Sequence, residues 1–251
     1  MTGNLTMNDT KVIISLTSFS KERLANVPYY LYHSFLKYRY DYVKIVLTLW
    51  KDDISNMPDI LKRMIDDGVV ELLIADKDLK CNLKYFYCMK KYRDLPIITV
   101  DDDSIYPEKM IPDLLELHAK YPNYILARSA RIIDNTRSYR YWRGAINGVI
   151  KPEFADGYVN QPRTDLLPEG YGGVLYPPNI LEITDDLISE MSDFFRADDV
   201  YLVVLERRKN LKVFAPTYNY NKVDFNTRPI HSLCLRPDNI SMIDSLVKKY
   251  L

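Results

Sequence analysis

Pro96-Ile97-Ile98-Thr99-Val100-Asp101-Asp102-Asp103-Ser104-Ile105-Tyr106-Pro107 is the stretch on which the reading of this chain turns. Its first five residues form a continuously apolar, β-rich run, as in a strand covered on both faces. Strands of that kind belong to mainly parallel sheets. In an open parallel sheet, ligands gather beyond the carboxyl ends of the strands, and this strand ends there in three adjacent carboxylates. Charges so close in a partly desolvated place repel one another by up to a few kcal/mol. A divalent cation with hard oxygen ligands, Mg²⁺ or Mn²⁺, would offset that cost. The competing reading is an N-cap cluster for a helix opened by Pro107, a role that one of the three acids would fill.

Upstream, strand and helix patterns alternate. Lys11–Leu16 is a β-rich run that ends in Thr17-Ser18, and Arg23–Tyr38 carries helical spacing at Leu24, Val27, Leu31 and Phe35. Pro28 within it is expected in the first turn or as the mark of a later start. Val43–Trp50 predicts a second strand, Pro58–Asp67 a short helix stopped by Gly68, Val69–Ile74 a third strand and Asn82–Tyr92 another helix. Downstream of Tyr121 the chain is less regular, with Pro and Gly clustered between Gly144 and Pro168. The expected fold is α/β: one domain with a mainly parallel, Rossmann-like central sheet flanked by helices and long functional loops in its second half.

Composition narrows the function classes. With 34 Lys+Arg against 34 Asp+Glu the formal charge is zero, so there is no general attraction for nucleic acid. Only 8 glycines are present, and neither a GxxxxGK[ST] nor a GxGxxG motif occurs, which argues against P-loop NTPases and dinucleotide dehydrogenases. No apolar run approaches the ~20 residues of a membrane span. Cys81, Cys88 and Cys234 form no metal-like pair, and the first residues lack a secretory pattern. Both features predict a reducing, cytoplasmic setting.

The strand running into Asp101-Asp102-Asp103 with its following Tyr-Pro, Glu169-Gly170-Tyr171-Gly172-Gly173-Val174-Leu175-Tyr176-Pro177-Pro178 and Ala197-Asp198-Asp199-Val200-Tyr201-Leu202 occur in that order. Together they resemble the GT-A glycosyltransferases, and more closely the bacterial inverting enzymes of the family-two type that build capsular and other surface polysaccharides. The likeness runs from about Lys11 to Asn239. It implies metal-dependent transfer of a sugar from a nucleoside diphosphate sugar, with uridine as the default base, to an acceptor hydroxyl. Residues 1–120 would form the nucleotide-binding half and 121–251 the acceptor-binding and catalytic half.

Carried over residue by residue, the resemblance makes Asp101 and Asp103 the metal-binding pair. Asp103 would ligate directly, and Asp101 would help through water or the ribose. Asp102 would point the other way along the chain and ranks below both as a cofactor contact. Thr17 and Ser18 would cradle base and ribose, and Arg23 would add a phosphate or ribose contact; an ordinary turn and helix cap is the alternative. Lys84 corresponds to a lysine that reaches the diphosphate, against the alternative of a solvated helix lysine. Asp199, with Asp198 as runner-up, is the expected general base; the alternative has Asp198 capping a helix and Asp199 in its first turn. Tyr171, Gly172 and Gly173 would line the donor sugar and acceptor pocket. His231 would supply a third metal ligand, against a purely structural role.

Two other functions remain open at this level: a sugar-nucleotide pyrophosphorylase, and a nucleotide-sugar or cation-binding module without catalysis. The acceptor would be a glycan or a glycan on a polyprenyl diphosphate. The latter would place the protein at the inner face of the membrane, where Arg137-Ser138-Tyr139-Arg140-Tyr141-Trp142-Arg143 could meet phosphates or headgroups. The same cluster also reads as a packed strand with outward arginines.

Overall fold

The computed structural model describes residues 10–142, 144–145, 161–216 and 237–251. Ten strands lie within it: β1 (Val12–Thr17), β2 (Val43–Trp50), β3 (Glu71–Ala75), β4 (Ile97–Thr99), β5 (Ile125–Ala127), β6 (Ala130–Ile132), β7 (Gly144–Ala145), β8 (Leu166–Pro168), β9 (Val174–Tyr176) and β10 (Val213–Phe214). The α-helices are α1 (Lys21–Ser34), α2 (Asp59–Asp66), α3 (Phe86–Lys91), α4 (Met110–Lys120), α5 (Ile188–Met191), α6 (Asp198–Arg208) and α7 (Pro237–Tyr250).

Seven strands form one sheet in the order β10-β5-β9-β4-β1-β2-β3, in which only β9 runs antiparallel to its neighbours. The chain winds outward from β1 to β3 and then returns to place β4 on the other side of β1. The order therefore reverses between β1 and β4, and the crevice beyond their carboxyl ends is where such sheets bind ligands. A second sheet, β7-β6-β8, is antiparallel and carries the chain back to β9.

Alternation along β1 divides the core. Val12, Ile14 and Leu16 pack with Leu24, Val27 and Leu31 of α1, Leu61 of α2 and Ile111 and Leu114 of α4. Ile13 faces the other layer, with Phe86 and Met89 of α3 and Leu202 and Val203 of α6. Ser15 shares that second face. Its buried hydroxyl donates to the carbonyl of Lys84, which fixes the Lys80–Lys84 3₁₀ turn against the sheet.

Most expected elements of the first half are present, with two corrections. Helix α1 starts at Lys21 and ends at Ser34, so Pro28 lies in its interior and is buried with Leu24, Val27 and Leu31. Packing of that stripe on the sheet outweighs the missing backbone donor. The helix expected over 82–92 is broken at Tyr85 into the 3₁₀ turn and α3. There the fully buried Tyr85 donates its hydroxyl to Asn82 Oδ1 at 2.8 Å. The described part of the Arg137–Arg143 cluster holds a 3₁₀ turn, Tyr139–Tyr141, rather than a strand. It buries Tyr139 and Trp142 and leaves Tyr141 65% exposed.

Glu206, 2% exposed on α6, has the Tyr176 hydroxyl 3.4 Å from its Oε1. Burial raises its pKa from 4.5 to about 8, against which the tyrosine acts only weakly. A carboxyl raised on folding contributes stability that is fully present below its unfolded pKa of 4.5 and is lost as pH rises through about 8. Glu206→Gln is therefore expected to flatten the fall in stability between pH 5 and 8.5. It should exceed the wild type by up to a few kcal/mol at the upper end, as read from urea unfolding midpoints.

Candidate functional site

Five segments meet beyond the carboxyl ends of β1 and β4. The end of β1 gives Thr17 and Ser18, the end of β4 gives Asp101–Asp103, and the 3₁₀ turn gives Lys84. The Gly170–Gly172 turn and the first turn of α6 complete the set. Register explains the convergence. Ser15 of β1 pairs with Thr99 of β4, and Thr99 pairs with Val174, the first residue of β9. The glycine turn that precedes β9 is thereby delivered beside the acid triplet.

Lys84 is the centre of the cluster. It is 7% exposed, and its Nζ lies 2.6 Å from Asp101 Oδ1 and 2.8 Å from Asp198 Oδ2. Burial alone would lower its pKa, but Asp101, Asp198 and Asp199 outweigh burial and hold it well above the ordinary lysine value. Its burial and its two ion pairs exclude the solvated-lysine alternative.

Asp199 is half-buried beside it, and its Oδ1 accepts the Gly170 N–H at 3.1 Å. Burial, then the charges of Asp198 and Asp101, push its carboxyl well above the usual range; Lys84 and the Gly170 amide pull it back only in part. Gly170 lets the backbone come close to both groups: a Cβ would stand 2.9 Å from Lys84 Nζ and 3.0 Å from Asp199 Oδ1, and those side-chain ends would have to shift. The N-cap of α6 is Ala197, with no side-chain cap, so both aspartates sit in the first turn and Asp198 does not cap the helix. The acid triplet is no cap either, because α4 begins only at Met110, behind Lys109.

The three acids of the triplet differ in environment. Asp102 is 6% exposed, and both its oxygens are taken by Arg23. The side chains of Asp101 and Asp103 are 29% and 31% exposed. Asp103 also meets Arg23, at 3.1 Å, yet burial and then Asp101 raise its pKa to about 6. Arg23 and Lys84 thus offset much of the repulsion that the sequence alone assigns to a cation. Arg23 is held by acids, and its guanidinium lies 5.1 Å from the ring centroid of Phe19, itself 53% exposed.

The remaining expected residues are distributed as follows. Thr17 donates its hydroxyl to the Thr48 carbonyl at 2.8 Å, tying β1 to β2. Ser18 is 3% exposed, and its Oγ has no hydrogen-bond partner among the described residues. Tyr171 and Gly172 turn toward Ser129: the tyrosine hydroxyl is 2.9 Å from Ser129 Oγ, and a Cβ on Gly172 would stand 2.9 Å from Ser129 Cβ. Gly173 takes φ 88°, which glycine alone adopts without strain, and leads into β9. His231 lies outside the described residues, as does Arg143. Gly170 and Phe19 were not singled out from sequence. The glycine cluster flagged the right turn, but only three-dimensional contact tells which glycine touches the acids.

Among the described residues no three His, Cys, Asp or Glu side chains form a metal site by themselves. Asp101 and Asp103 nonetheless suit a Mg²⁺ or Mn²⁺ shared with substrate phosphates, which typically takes one or two protein carboxylates. Both are partly open. Asp101 Oδ2 and Asp103 Oδ1 are not used by Lys84 or Arg23.

No protein-family profile and no curated sequence matches the chain. Solved structures do share its fold. S. aureus TarS 1–349 in complex with UDP aligns with a TM-score of 0.51 and 9% identity, covering 95% of this chain and 64% of that one. A mannosyltransferase from Pyrobaculum calidifontis in complex with GDP-Man and Mn²⁺ gives 0.47 and 8%, covering 82% and 54%. A 4-diphosphocytidyl-2C-methyl-D-erythritol synthase from Anaerococcus prevotii gives 0.45 and 13%, covering 96% and 99%. The chain spans less than two thirds of the length of the TarS and mannosyltransferase chains. The fold is thus of the GT-A type, a mainly parallel seven-stranded sheet flanked by helices.

Lys84→Met tests the electrostatics of this cluster. Removing the ammonium leaves Asp101, Asp198 and Asp199 uncompensated, so a loss of about 3–5 kcal/mol is expected at pH 8. The loss shrinks as pH falls and the raised Asp199 carboxyl takes up a proton, and denaturant unfolding at pH 8 and pH 5 measures both values.

Proposed function

We propose that the chain is a metal-dependent, inverting glycosyltransferase that moves a sugar from a nucleoside diphosphate sugar, by default a UDP-sugar, to an acceptor hydroxyl. The observation that carries this reading is the buried Lys84 ammonium, held at once by Asp101 at the end of β4 and Asp198 at the start of α6. It joins a candidate diphosphate site to a candidate base.

Asp199 would take the acceptor hydroxyl proton as that oxygen attacks the anomeric carbon. The bond from that carbon to the diphosphate oxygen breaks, and its electron pair leaves with the diphosphate. A carboxylate of raised pKa is suited to proton abstraction near neutrality. Lys84 would receive part of the charge that develops on the leaving group. Asp101 and Asp103 would hold Mn²⁺ or Mg²⁺, which when bound supplies Lewis-acid neutralisation of the diphosphate. Ser18, whose buried hydroxyl has no partner among the described residues, and Phe19, an exposed ring beside Arg23, are suited to ribose and base in the half formed by residues 1–120.

A nucleotidyl transfer, the main alternative, attacks with a phosphate that is already ionised and leaves Asp199 without a task. The acceptor is proposed to be a glycan or lipid-linked glycan of surface polysaccharide synthesis, met on the cytoplasmic side by the 121–251 half. Among the described residues no helix is long and apolar enough to cross a membrane. Contact with lipid is proposed to be peripheral, through the exposed Arg140 and Tyr141.

A thermal-shift panel of UDP- and GDP-sugars with and without Mn²⁺ tests donor binding, because a ligand of the native state raises the melting temperature by mass action. At least one donor should raise it, and more so with Mn²⁺; no shift under any condition contradicts the reading. Asp199→Asn should lower turnover by about 10²–10⁴-fold while leaving the donor shift intact. Equal turnover in both forms removes Asp199 from the mechanism.

A further inference from the structure

Glu169 precedes the glycine whose amide meets Asp199, and no part of the proposed chemistry uses it. It is 3% exposed, and a carboxylate buried that deeply is costly unless fully paired. Its pairing is complete. Oε1 accepts from Arg131 Nε at 2.6 Å, and Oε2 accepts from Ser129 Oγ at 2.7 Å. Its own N–H donates to the Ser129 carbonyl at 2.9 Å, and its carbonyl accepts the Gly172 N–H at 3.0 Å. Three of these four bonds run to β6 or to the residue just before it. The Arg131 guanidinium is in turn stacked 4.7 Å from the Tyr139 ring centroid, and the Tyr139 N–H donates to Asp244 of α7 at 2.6 Å.

The other end of the same turn has almost no freedom. Gly170 approaches Lys84 and Asp199 so closely that a single added carbon would displace the ends of both side chains. Where the turn sits therefore decides whether the Gly170 N–H reaches the Asp199 carboxylate.

We infer that Glu169 is a positioning residue: locked to the small sheet by Arg131 and Ser129, it sets the Gly170 amide on Asp199 and so aims the base. The catalytic part of this inference rests on the glycosyltransferase reading; the structural part does not. The turn behaves as a lever whose fixed end is an ion pair in the antiparallel sheet and whose working end is one N–H in the cleft.

The test compares wild type, Glu169→Gln and Arg131→Gln by ¹H–¹⁵N NMR, and by UDP or GDP release as the sugar of UDP-glucose, UDP-N-acetylglucosamine or GDP-mannose is transferred to water, the hydroxyl that stands in for the acceptor. In both variants the Gly170 amide resonance should move upfield and exchange with solvent at least about tenfold faster, as expected for a lost charge-assisted bond. Turnover should fall about 10–100-fold with donor KM within about threefold, as for a misaimed group rather than a lost binding contact. The double variant should be no worse than either single one, because both remove the same link.

An unchanged Gly170 amide in both variants overturns the inference, and so does a rise in KM at constant turnover. Should either variant fail to fold, Ser129→Ala removes the bonds to Glu169 and Tyr171 but no charge, and its Gly170 amide must move in the same direction. If the wild type turns over none of the three donors, the glycosyltransferase reading fails, while the amide still decides whether Glu169 places Gly170.

Discussion

A buried ammonium is stable only where carboxylates face it closely enough to replace water, and Lys84 meets that condition from two directions at once. One partner sits at the tip of a parallel strand and the other in the first turn of a late helix. Their sequence separation is large, so the lysine closes a long loop of chain through one charge. Lys84 is itself held by its backbone, whose carbonyl takes the Ser15 hydroxyl from the middle of β1. The sheet core, the strand-end acids and the helix-start acids are thereby tied to a single position.

The topology makes such a junction available. The reversal of strand order between β1 and β4 opens the crevice, and the antiparallel insertion of β9 between β4 and β5 brings its leading turn to the same edge. Two cations then divide the acids. Arg23 fixes Asp102 and touches Asp103, while Lys84 takes Asp101 and Asp198. Among the described residues the division leaves Asp199 with a backbone N–H as its one direct hydrogen-bond partner, in a place where burial and like charge both resist ionisation. A carboxylate so placed gains most by sharing a proton, which is the property a general base needs.

Much of this is written locally in the chain. Runs such as Val43–Trp50 and Pro96–Val100 declare buried strands because both faces are apolar, and Gly68, at φ 71°, closes α2 where expected. The acid triplet marks a strand end for the same local reason. What the sequence hides is pairing across distance. Three-residue β9 reads the same in either direction, so its antiparallel placement is invisible. Neither Arg23 nor Glu169 announces its partner, because Asp102 and Arg131 lie far away along the chain or on another strand. The break at Tyr85 is equally silent, since it serves a hydroxyl bond to Asn82 and the burial of a ring rather than any turn signal. For the same reason the triplet reads as needing a metal for its charge, when Lys84 and Arg23 already carry part of that task.

The most direct test of the Lys84 junction is the titration of the Asp199 carboxyl carbon by ¹³C NMR in the wild type and in Lys84→Met. The account predicts that Asp199 titrates well above the ordinary carboxylate range and that losing the ammonium moves it higher still, because Lys84 is the charge that favours its ionised form. An Asp199 that titrates near 4, or that does not respond to the loss of Lys84, would contradict it.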